Sequence, residues 1–458
     1  MKIHRAAETD LSAALRELSS KLGLDGGMVS ESSRRKTLEI FGEPLTPLEV
    51  VRKLLRDVRA RGDEAISEYA LKLDGATLPP KKFLVTRKEM EAAWRSVPAS
   101  FRKSLARAGE NIRRFQERIK LKAPAPLVNP QGGRLSVEYR PLARVGVCVP
   151  GGRAAYPSSL LMTVIPAQVA RVDEIAVVTP CRPNGTVWPE TLAAARGLEL
   201  TEVYRISGAP AVAALAYGTK TIRRVDKILG PGSIFVTLAK REVYGEVGLD
   251  MLAGPSEVLI IADAQADPRF VAADLLSQAE HDPAAAVLLT PDERVARETL
   301  AEIERQLPKL SREKAARDCL ERYGLIAVTR DLNEAVKLAN QFAPEHLELA
   351  VAKPNALLKK IRSAGAVFLG SHTPEPVGDY LAGPSHVLPT GGTARFFSGL
   401  SVNDFLRRMS VIRYSPAALK KSVADVETLA RAEGLDAHAR AANIRFEKRQ
   451  SQSRLRRE

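Results

Sequence analysis

The sequence contains very little cysteine. Its three cysteines, Cys148, Cys181 and Cys319, lie far apart in 458 residues, and no two of them form a C-x-x-C pair. Their spacing favours neither a disulfide framework nor a thiolate metal centre, and it is typical of a cytoplasmic protein. The chain also lacks the roughly 18–20 consecutive apolar residues that cross a bilayer. Because its first residues lack the apolar core of a secretory signal, we expect a cytoplasmic protein with no membrane partner.

Aromatic residues are scarce as well, at 5% of the chain, although the net charge is +15. Part of the positive excess lies in a basic tail, residues 445–458, and the remainder is scattered over predicted helices. Binding of nucleic-acid bases commonly uses stacking aromatic residues among basic ones, and no such interleaving occurs here. We expect a basic solvated surface that attracts small anions, and no nucleic-acid partner.

The hydrophobic and charged fractions, 45% and 27%, are typical of a soluble globular enzyme. A chain of 458 residues is too long for one simple core. From about Leu135, short β-branched runs alternate with helical patterns, which predicts parallel sheets covered by helices. The predicted fold class is α/β, with two Rossmann-like parallel-sheet domains, helical N-terminal elements and a small C-terminal helical segment.

We expect four parts along the chain. Residues 1–134 form a helical N-terminal part that packs with residues 254–385. Residues 135–253 form the first α/β domain, residues 254–385 the second, and residues 386–458 the C-terminal segment with its basic tail. Within that segment the pattern predicts helices over Val402–Met409 and Pro416–Glu433.

The stretch Ser277–His281 ends a helical pattern that begins at Pro268. Gln278 and His281 are three residues apart, so both side chains leave one face of the predicted helix. An amide oxygen and an imidazole side by side bind a divalent metal such as zinc. A polar helix end packed on a loop is the commoner explanation for an isolated Q-x-x-H pair, and both readings stay open here.

Five of the six histidines lie between residues 281 and 438. Glu345 and His346 form a carboxylate–imidazole pair of the kind that acts in acid/base catalysis. Asp379 and His386 follow a predicted strand, beyond the carboxyl end where open α/β sheets bind ligands. His438 follows a glycine turn and is either a surface histidine or a ligand delivered by the C-terminal segment.

These pieces occur together, in this order and spacing, in one family. The chain resembles histidinol dehydrogenase, a zinc- and NAD-dependent enzyme, from about Phe41 to Ala442. The resemblance is carried by four blocks: Asp250–Glu257 with Ser277–His281, Ala343–His346, Val377–Tyr380 and Glu433–His438.

The resemblance implies one zinc ion per subunit, held by four ligands with substrate completing the coordination: Gln278, His281, Asp379 and His438. Further matched positions contact substrate, namely Ser256, His386 and Glu433, in addition to His346 and the four ligands. The family also implies a homodimer, with the C-terminal helical segment as a dimerisation segment that completes the partner's site. Glu433 and His438 would then come from the other subunit.

The implied reaction oxidises L-histidinol to L-histidine through L-histidinal with two NAD, the last steps of histidine biosynthesis. In the family, the residue matching His346 takes the alcohol proton and the residue matching Glu345 activates water to hydrate the aldehyde. Many NAD-dependent aldehyde oxidations use a cysteine thiolate instead. None of the three cysteines lies in the matched blocks, which favours the route through water.

The cofactor positions depart from the family. The chain has no G-x-G-x-x-G fingerprint, and the family's usual NAD contacts, a tyrosine, a glutamine and an asparagine, fall on Cys148, Pro210 and Ser233. We expect the backbone of the Gly151-Gly152 and Gly230-Pro231-Gly232 turns to cradle the pyrophosphate in their place.

Two alternatives remain open. One is a paralogous zinc/NAD dehydrogenase of another small polar alcohol, such as a sulfonated diol. Glu433 and His386 argue against it, because an anionic substrate favours Arg or Lys at such positions. The other is a non-catalytic binding protein on the same scaffold, which the three altered cofactor positions and the positive charge favour.

Overall fold

The computed structural model describes residues 1–23, 37–152, 154–281 and 283–447. It divides into two compact units. Unit 1 comprises Met1–Lys120 and Leu142–Phe405, and unit 2 comprises Leu121–Pro141 and the chain from Leu406 onward. The predicted basic tail falls almost wholly outside the described residues.

The strands, in chain order, are β1 (Ile3–Arg5), β2 (Leu127–Val128), β3 (Arg134–Pro141), β4 (Arg144–Cys148), β5 (Glu174–Val178), β6 (Glu202–Tyr204), β7 (Lys227–Leu229), β8 (Gly248–Leu249), β9 (Ser256–Ala262), β10 (Ala284–Thr290), β11 (Gly324–Val328), β12 (His346–Ala350), β13 (Ala366–Leu369) and β14 (Leu406–Arg413).

The helices, in chain order, are α1 (Leu11–Lys21), α2 (Pro47–Arg61), α3 (Asp63–Asp74), α4 (Arg87–Ser96), α5 (Ala99–Ile119), α6 (Pro157–Ala170), α7 (Pro189–Gly197), α8 (Gly208–Tyr217), α9 (Ile234–Glu242), α10 (Pro268–Ala279), α11 (Glu293–Gln306), α12 (Glu313–Tyr323), α13 (Leu332–Phe342), α14 (Pro354–Leu358), α15 (Glu375–Tyr380), α16 (Pro416–Ala432) and α17 (Asp436–Asn443). Short polar side chains start several of them, and Thr46 and Thr86 form capping boxes with Glu49 and Glu89. None of the helices in the described ranges is long and apolar enough to cross a membrane.

Unit 1 contains two parallel sheets, as the sequence predicts. Sheet A has the order β1-β11-β10-β9-β12-β13, and sheet B has the order β6-β5-β4-β7-β8. The central strands β9 and β10 are nearly continuous apolar runs because helices cover both faces of sheet A. Glu257 is the acidic exception in β9.

The N-terminal helices differ from their expected packing on residues 254–385. Of the elements described in this part, β1 and α1 join sheet A, where β1 pairs with β11 and α1 contacts α13. The helices α2 to α5 pack mainly against the helices of sheet B, and α5 also contacts residues 254–385, where the Asn111 side chain donates to the Leu381 carbonyl at 2.9 Å. Their apolar faces carry no periodicity that distinguishes one parallel sheet from the other, so the choice of partner depends on tertiary packing.

A buried ion pair fixes the turn after β7. The ammonium group of Lys240 donates to Asp250 Oδ1 at 2.5 Å and to the Gly230 carbonyl at 3.0 Å. The Gly230 N–H donates to Asp250 Oδ2 at 2.7 Å. Gly230 has φ +99°, and a Cβ there would lie 2.3 Å from the Cys148 carbonyl oxygen, so only glycine fits this close approach to β4.

Unit 2 is a three-stranded antiparallel sheet, β14-β3-β2, with the contacting helices α16 and α17. The helix predicted over Val402–Met409 is wrong: a 3₁₀ turn covers Val402–Phe405, and β14 begins at Leu406. All eight residues of β14 pair with β3. This long-range pairing overrides a local pattern that was too short to separate helix from strand.

Candidate active site

The acid/base pair lies at the amino end of sheet A. Helix α13 ends at Phe342 and is capped by Ala343, which has φ +53°. Pro344 separates this cap from Glu345. His346 is the first residue of β12 and pairs in register with Val258 and Ala366. The buried imidazole therefore stands where three parallel strands begin.

Backbone contact fixes the tautomer of His346. Its Nδ1 lies 3.0 Å from the carbonyl oxygen of Glu257, which can only accept, so Nδ1 carries the proton. Its Nε2 is buried without a hydrogen-bond partner among the described residues. Burial lowers the pKa of His346. The imidazole is thus held neutral, with a free lone pair on Nε2, which is the state a general base needs.

Glu345 is paired with a second buried acid, Glu257. The Glu257 N–H donates to Glu345 Oε2 at 2.9 Å, and the Glu345 N–H donates to Glu257 Oε2 at 3.3 Å. The Gly391 N–H holds the other Glu257 oxygen at 3.1 Å. Burial raises the pKa of Glu345 well above its usual range and raises that of Glu257 to about 7.

Helix α15 brings two more carboxyl groups to His346. Glu375 Oε1 lies 3.9 Å and Asp379 Oδ1 lies 3.8 Å from His346 Nε2. His346, Glu375 and Asp379 each offer one possible metal-ligand atom, and these three atoms lie within 4.8 Å of one another, close enough to bind one metal ion. Burial raises the pKa of Glu375 to about 7 and that of Asp379 to about 6.

A further layer of acids supports Glu375. The Glu375 N–H donates to Glu348 Oε1 at 3.0 Å, and the Ser277 hydroxyl donates to Glu375 Oε2 at 3.2 Å. Glu348 is hydrogen-bonded in turn to Asp274, and burial raises the pKa of both groups. None of these acids has a Lys or Arg partner among the described residues. Such a cluster of uncompensated carboxyl groups is typical of a site for cations.

Gln278 is fully buried near the end of α10, and neither its amide oxygen nor its nitrogen has a hydrogen-bond partner among the described residues. A buried amide without partners is costly, and a cation on the oxygen relieves half of that cost. The helix ends at Ala279, two residues before the predicted end, and His281 lies exposed in the following turn. His281 still acts electrostatically on the pKa values of Glu375 and His386.

His386 joins this site to sheet B. Its Nδ1 donates to the carbonyl oxygen of Asp379 at 2.9 Å, so its Nε2 accepts from the Ser159 hydroxyl at 3.1 Å. Burial lowers the pKa of His386 to about 4. Ser159 lies in the first turn of α6, directly after the loop that follows β4. Ser256, the first residue of β9, is half-buried at the same amino end of sheet A as His346.

A cavity of about 490 Å³ lies at the carboxyl ends of β4, β5, β6 and β7. Its walls include the Gly151-Gly152 turn and residues 231–233. Two of the three predicted cofactor positions, Cys148 and Ser233, therefore line the cavity. Pro210 is buried in α8 and does not line it. No atom of a described residue outside the turn lies within 4 Å of a Cβ added at Gly152, so these residues leave space for a ligand there. Burial raises the pKa of the Cys148 thiol to about 12, which makes it a poor nucleophile.

Known proteins match this chain over most of its length. The family model for histidinol dehydrogenase matches residues 45–446. The histidinol dehydrogenase of Rhodopirellula baltica is 48% identical over 442 residues, 96% of this chain and 95% of that protein. That of Moorella thermoacetica is 51% identical over 398 residues, 87% of this chain and 94% of that protein.

The chain belongs to the histidinol dehydrogenase family. The crystal structure of histidinol dehydrogenase from Elizabethkingia anophelis superposes with a TM-score of 0.87 at 33% identity, covering 97% of this chain and 98% of that one. The α/β fold with parallel sheets and the family predicted from the four sequence blocks are both confirmed. The protein is accordingly an oxidoreductase.

The structure gathers most of the family-matched positions in unit 1. His346 lies close to both Glu345 and Asp379. Asp379 in turn accepts a hydrogen bond from His386 through its backbone carbonyl. The side-chain amide of Gln278 has no hydrogen-bond partner among the described residues. Glu433 and His438 belong to unit 2, where both are exposed, and their role stays a prediction.

The two acids that lie next to the Glu345-His346 pair were missed from the sequence. Glu375 lies four residues before Asp379, so both side chains leave one face of α15; this spacing was the available signal. Glu257 is an acid in an otherwise apolar strand, which is a signal too. The expected location of Asp379 beyond a carboxyl end is wrong, because α15 places Asp379 beside His346 at the amino end of β12.

Proposed function

We propose that this protein oxidises L-histidinol to L-histidine through L-histidinal, with zinc and two NAD, in histidine biosynthesis. The observation that carries the proposal is the open Nε2 of His346, set among buried carboxyl groups that lack cationic partners. A cationic amine and a metal ion would supply the missing positive charge and return these carboxyl groups to their ionised state. An anionic alcohol such as a sulfonated diol would meet repulsion in the same place.

His346 is the proposed base for the alcohol. Its Nε2 takes the hydroxyl proton as the carbinol carbon loses hydride, and its Nδ1–H stays bonded to the Glu257 carbonyl throughout. When bound, NAD accepts one hydride in each of the two oxidations. Glu345 takes a proton from water as the water oxygen adds to the aldehyde carbon. His346 returns its proton to the former aldehyde oxygen, which completes the hydrate, and then takes a hydroxyl proton from the hydrate as the carbon loses a second hydride. The carboxylic acid that forms releases its remaining proton to solvent and becomes the carboxylate.

The metal would be held by Gln278, His281, Asp379 and His438. Its chemistry there is that of a Lewis acid that holds the substrate without changing redox state. The unpartnered amide of Gln278 and the raised pKa of Asp379 fit this role. His346 is also close enough to Asp379 and Glu375 to be a metal ligand together with them. Its neutral Nε2, which has no hydrogen-bond partner among the described residues, suits a general base better.

The exposed apolar side chains of unit 2 support a homodimer. Leu127, Val128, Ile412 and Leu429 are each more than half exposed, between 59% and 70%. Apolar exposure of this density is typical of an interface. We propose that the C-terminal segment, including Glu433 and His438, completes the site of the partner subunit.

Replacing His438 by Ala is expected to lower zinc content from about one per subunit and to lower activity with it, because one ligand is lost. Metal analysis after gel filtration measures this. His372→Ala is the matched control, since His372 is also exposed and lies outside the ligand set. Unchanged zinc stoichiometry in His438→Ala would remove His438 from the ligands.

A complementation experiment tests the shared site. Co-expressed His346→Asn and His438→Ala subunits form heterodimers in which one of the two sites combines an intact His346 with an intact His438. Activity should therefore recover to a substantial fraction of the wild-type value. If each subunit uses its own His438, no site is intact and activity does not recover.

The proposed function is tested by supplying histidinol and NAD to the zinc-loaded protein and measuring NADH and histidine. A panel of small polar alcohols, including a sulfonated diol, is run alongside. Turnover of another alcohol in place of histidinol would overturn the substrate assignment. Absence of any turnover and of any NAD binding in folded protein would favour a binding protein.

A further inference from the structure

Asp74 is the only charged side chain among the described residues that line the cavity of sheet B. It is the last residue of α3, and the Ser207 hydroxyl donates to its Oδ2 at 2.7 Å. Among the described residues, none donates to its other oxygen and no Lys or Arg pairs with it. The carboxylate therefore offers hydrogen-bond acceptors to whatever fills the cavity.

The local structure around this pair is costly. An acid at the last position of a helix faces the negative end of the helix dipole. Ser207 stands at the N-cap of α8 but makes no capping hydrogen bond, because its hydroxyl is directed at Asp74 instead. Both residues thus give up a favourable local arrangement for a contact at the cavity wall. Burial also raises the pKa of Asp74, as expected of a carboxyl group that lacks a charged partner.

The position of the pair in the sheet indicates which part of a dinucleotide it meets. The loop after β4 leads into α6, whose Ser159 contacts His386 in the active site. Ser207 follows β6, two strands away in the order β6-β5-β4, or roughly 10 Å at the usual strand spacing. The nicotinamide has to lie towards His346, so the far end of the cavity, beside β6, takes the adenosine half.

We propose that Asp74 and Ser207 bind the hydroxyl groups of the adenosine ribose, and that the Asp74 carboxylate selects NAD over NADP. This inference rests on the proposed use of a nicotinamide dinucleotide. A carboxylate accepts hydrogen bonds from a 2′,3′-diol and repels a 2′-phosphate, as in other dinucleotide sites. The described residues of the lining include no Lys or Arg, so none of them offers a 2′-phosphate a compensating charge.

Calorimetric titration of the full-length, zinc-loaded protein with NAD and with NADP tests the proposal. Wild-type protein should bind NAD about 100-fold more tightly than NADP. In Asp74→Asn the affinity for NAD should fall about tenfold and that for NADP should rise, because a charged acceptor is lost and the repulsion is removed. Ser207→Ala should weaken NAD binding by a smaller factor, about threefold to tenfold.

Glu64→Gln is the matched control, since it removes one negative charge from an exposed position on the same helix. It should leave both affinities unchanged. Equal changes in NAD and NADP affinity in Asp74→Asn, with wild-type thermal stability, would overturn the proposal. If the protein binds NAD in preference to NADP but does not turn over histidinol, the proposed function fails and this inference stands. If the protein turns over histidinol but Asp74→Asn leaves the preference for NAD unchanged, this inference fails and the proposed function stands.

Discussion

Replacing His346 by Asn is expected to lower kcat by roughly 10²–10⁴-fold, the usual contribution of general acid–base catalysis. Asparagine keeps a nitrogen donor that can reach the Glu257 carbonyl, so the local hydrogen bond has a substitute. It offers no basic nitrogen in place of Nε2. KM and zinc content should change little, because the loss falls on proton transfer. Steady-state kinetics with histidinol and metal analysis of the same sample measure both effects.

His372→Asn is the control for this variant. His372 is exposed and contacts the ring of Phe270 rather than the carboxyl cluster. It should retain wild-type kcat. If His346→Asn instead loses its zinc, then His346 is a metal ligand with Glu375 and Asp379, and its assignment as the base is wrong.

Replacing Lys240 by Met is expected to destabilise the fold by roughly 3–5 kcal/mol, because the substitution leaves the Asp250 carboxylate buried without its cation. The side chains of the pair are 2% and 0% exposed. Methionine fills a similar volume, so cavity formation adds little. Thermal unfolding should show a midpoint lower by several degrees. Because Asp250 also binds the Gly230 N–H, NAD affinity should fall as the turn at the cavity loosens.

Arg294→Met is the matched control for Lys240→Met. Arg294 and Glu298 form an ion pair with both side chains about half exposed. Pairs of this kind contribute about 0–1 kcal/mol, so the midpoint should barely move. A similarly small change in Lys240→Met would show that the buried pair does not hold the turn after β7.

Local pattern was sufficient for much of the fold. The strand–helix alternation after Leu135 predicts both parallel sheets, and the Thr46 capping box marks the start of α2 as the structure has it. The strand β14 could not be predicted in this way. Its eight residues have no strong period of their own, and they become a strand by pairing with β3, more than 260 residues earlier in the chain.

The candidate site shows the same division. Residues whose chemistry is visible in short blocks, such as Gln278 and the Glu345-His346 pair, can be predicted as candidates from the sequence. Glu257 and Glu375 were not predicted, because their proximity to His346 depends on the register of β9 against β12 and on the path of α15. The path of α15 also explains why the site lies at the amino ends of the strands of sheet A.

The proposed function is tested most directly by analysing one preparation of the protein for zinc and then assaying it with histidinol and NAD. We expect about one zinc per subunit, two NADH formed per histidinol consumed, histidine as the product, and loss of activity on chelation that zinc restores. Folded, zinc-loaded protein that forms no NADH from histidinol would contradict the proposed function.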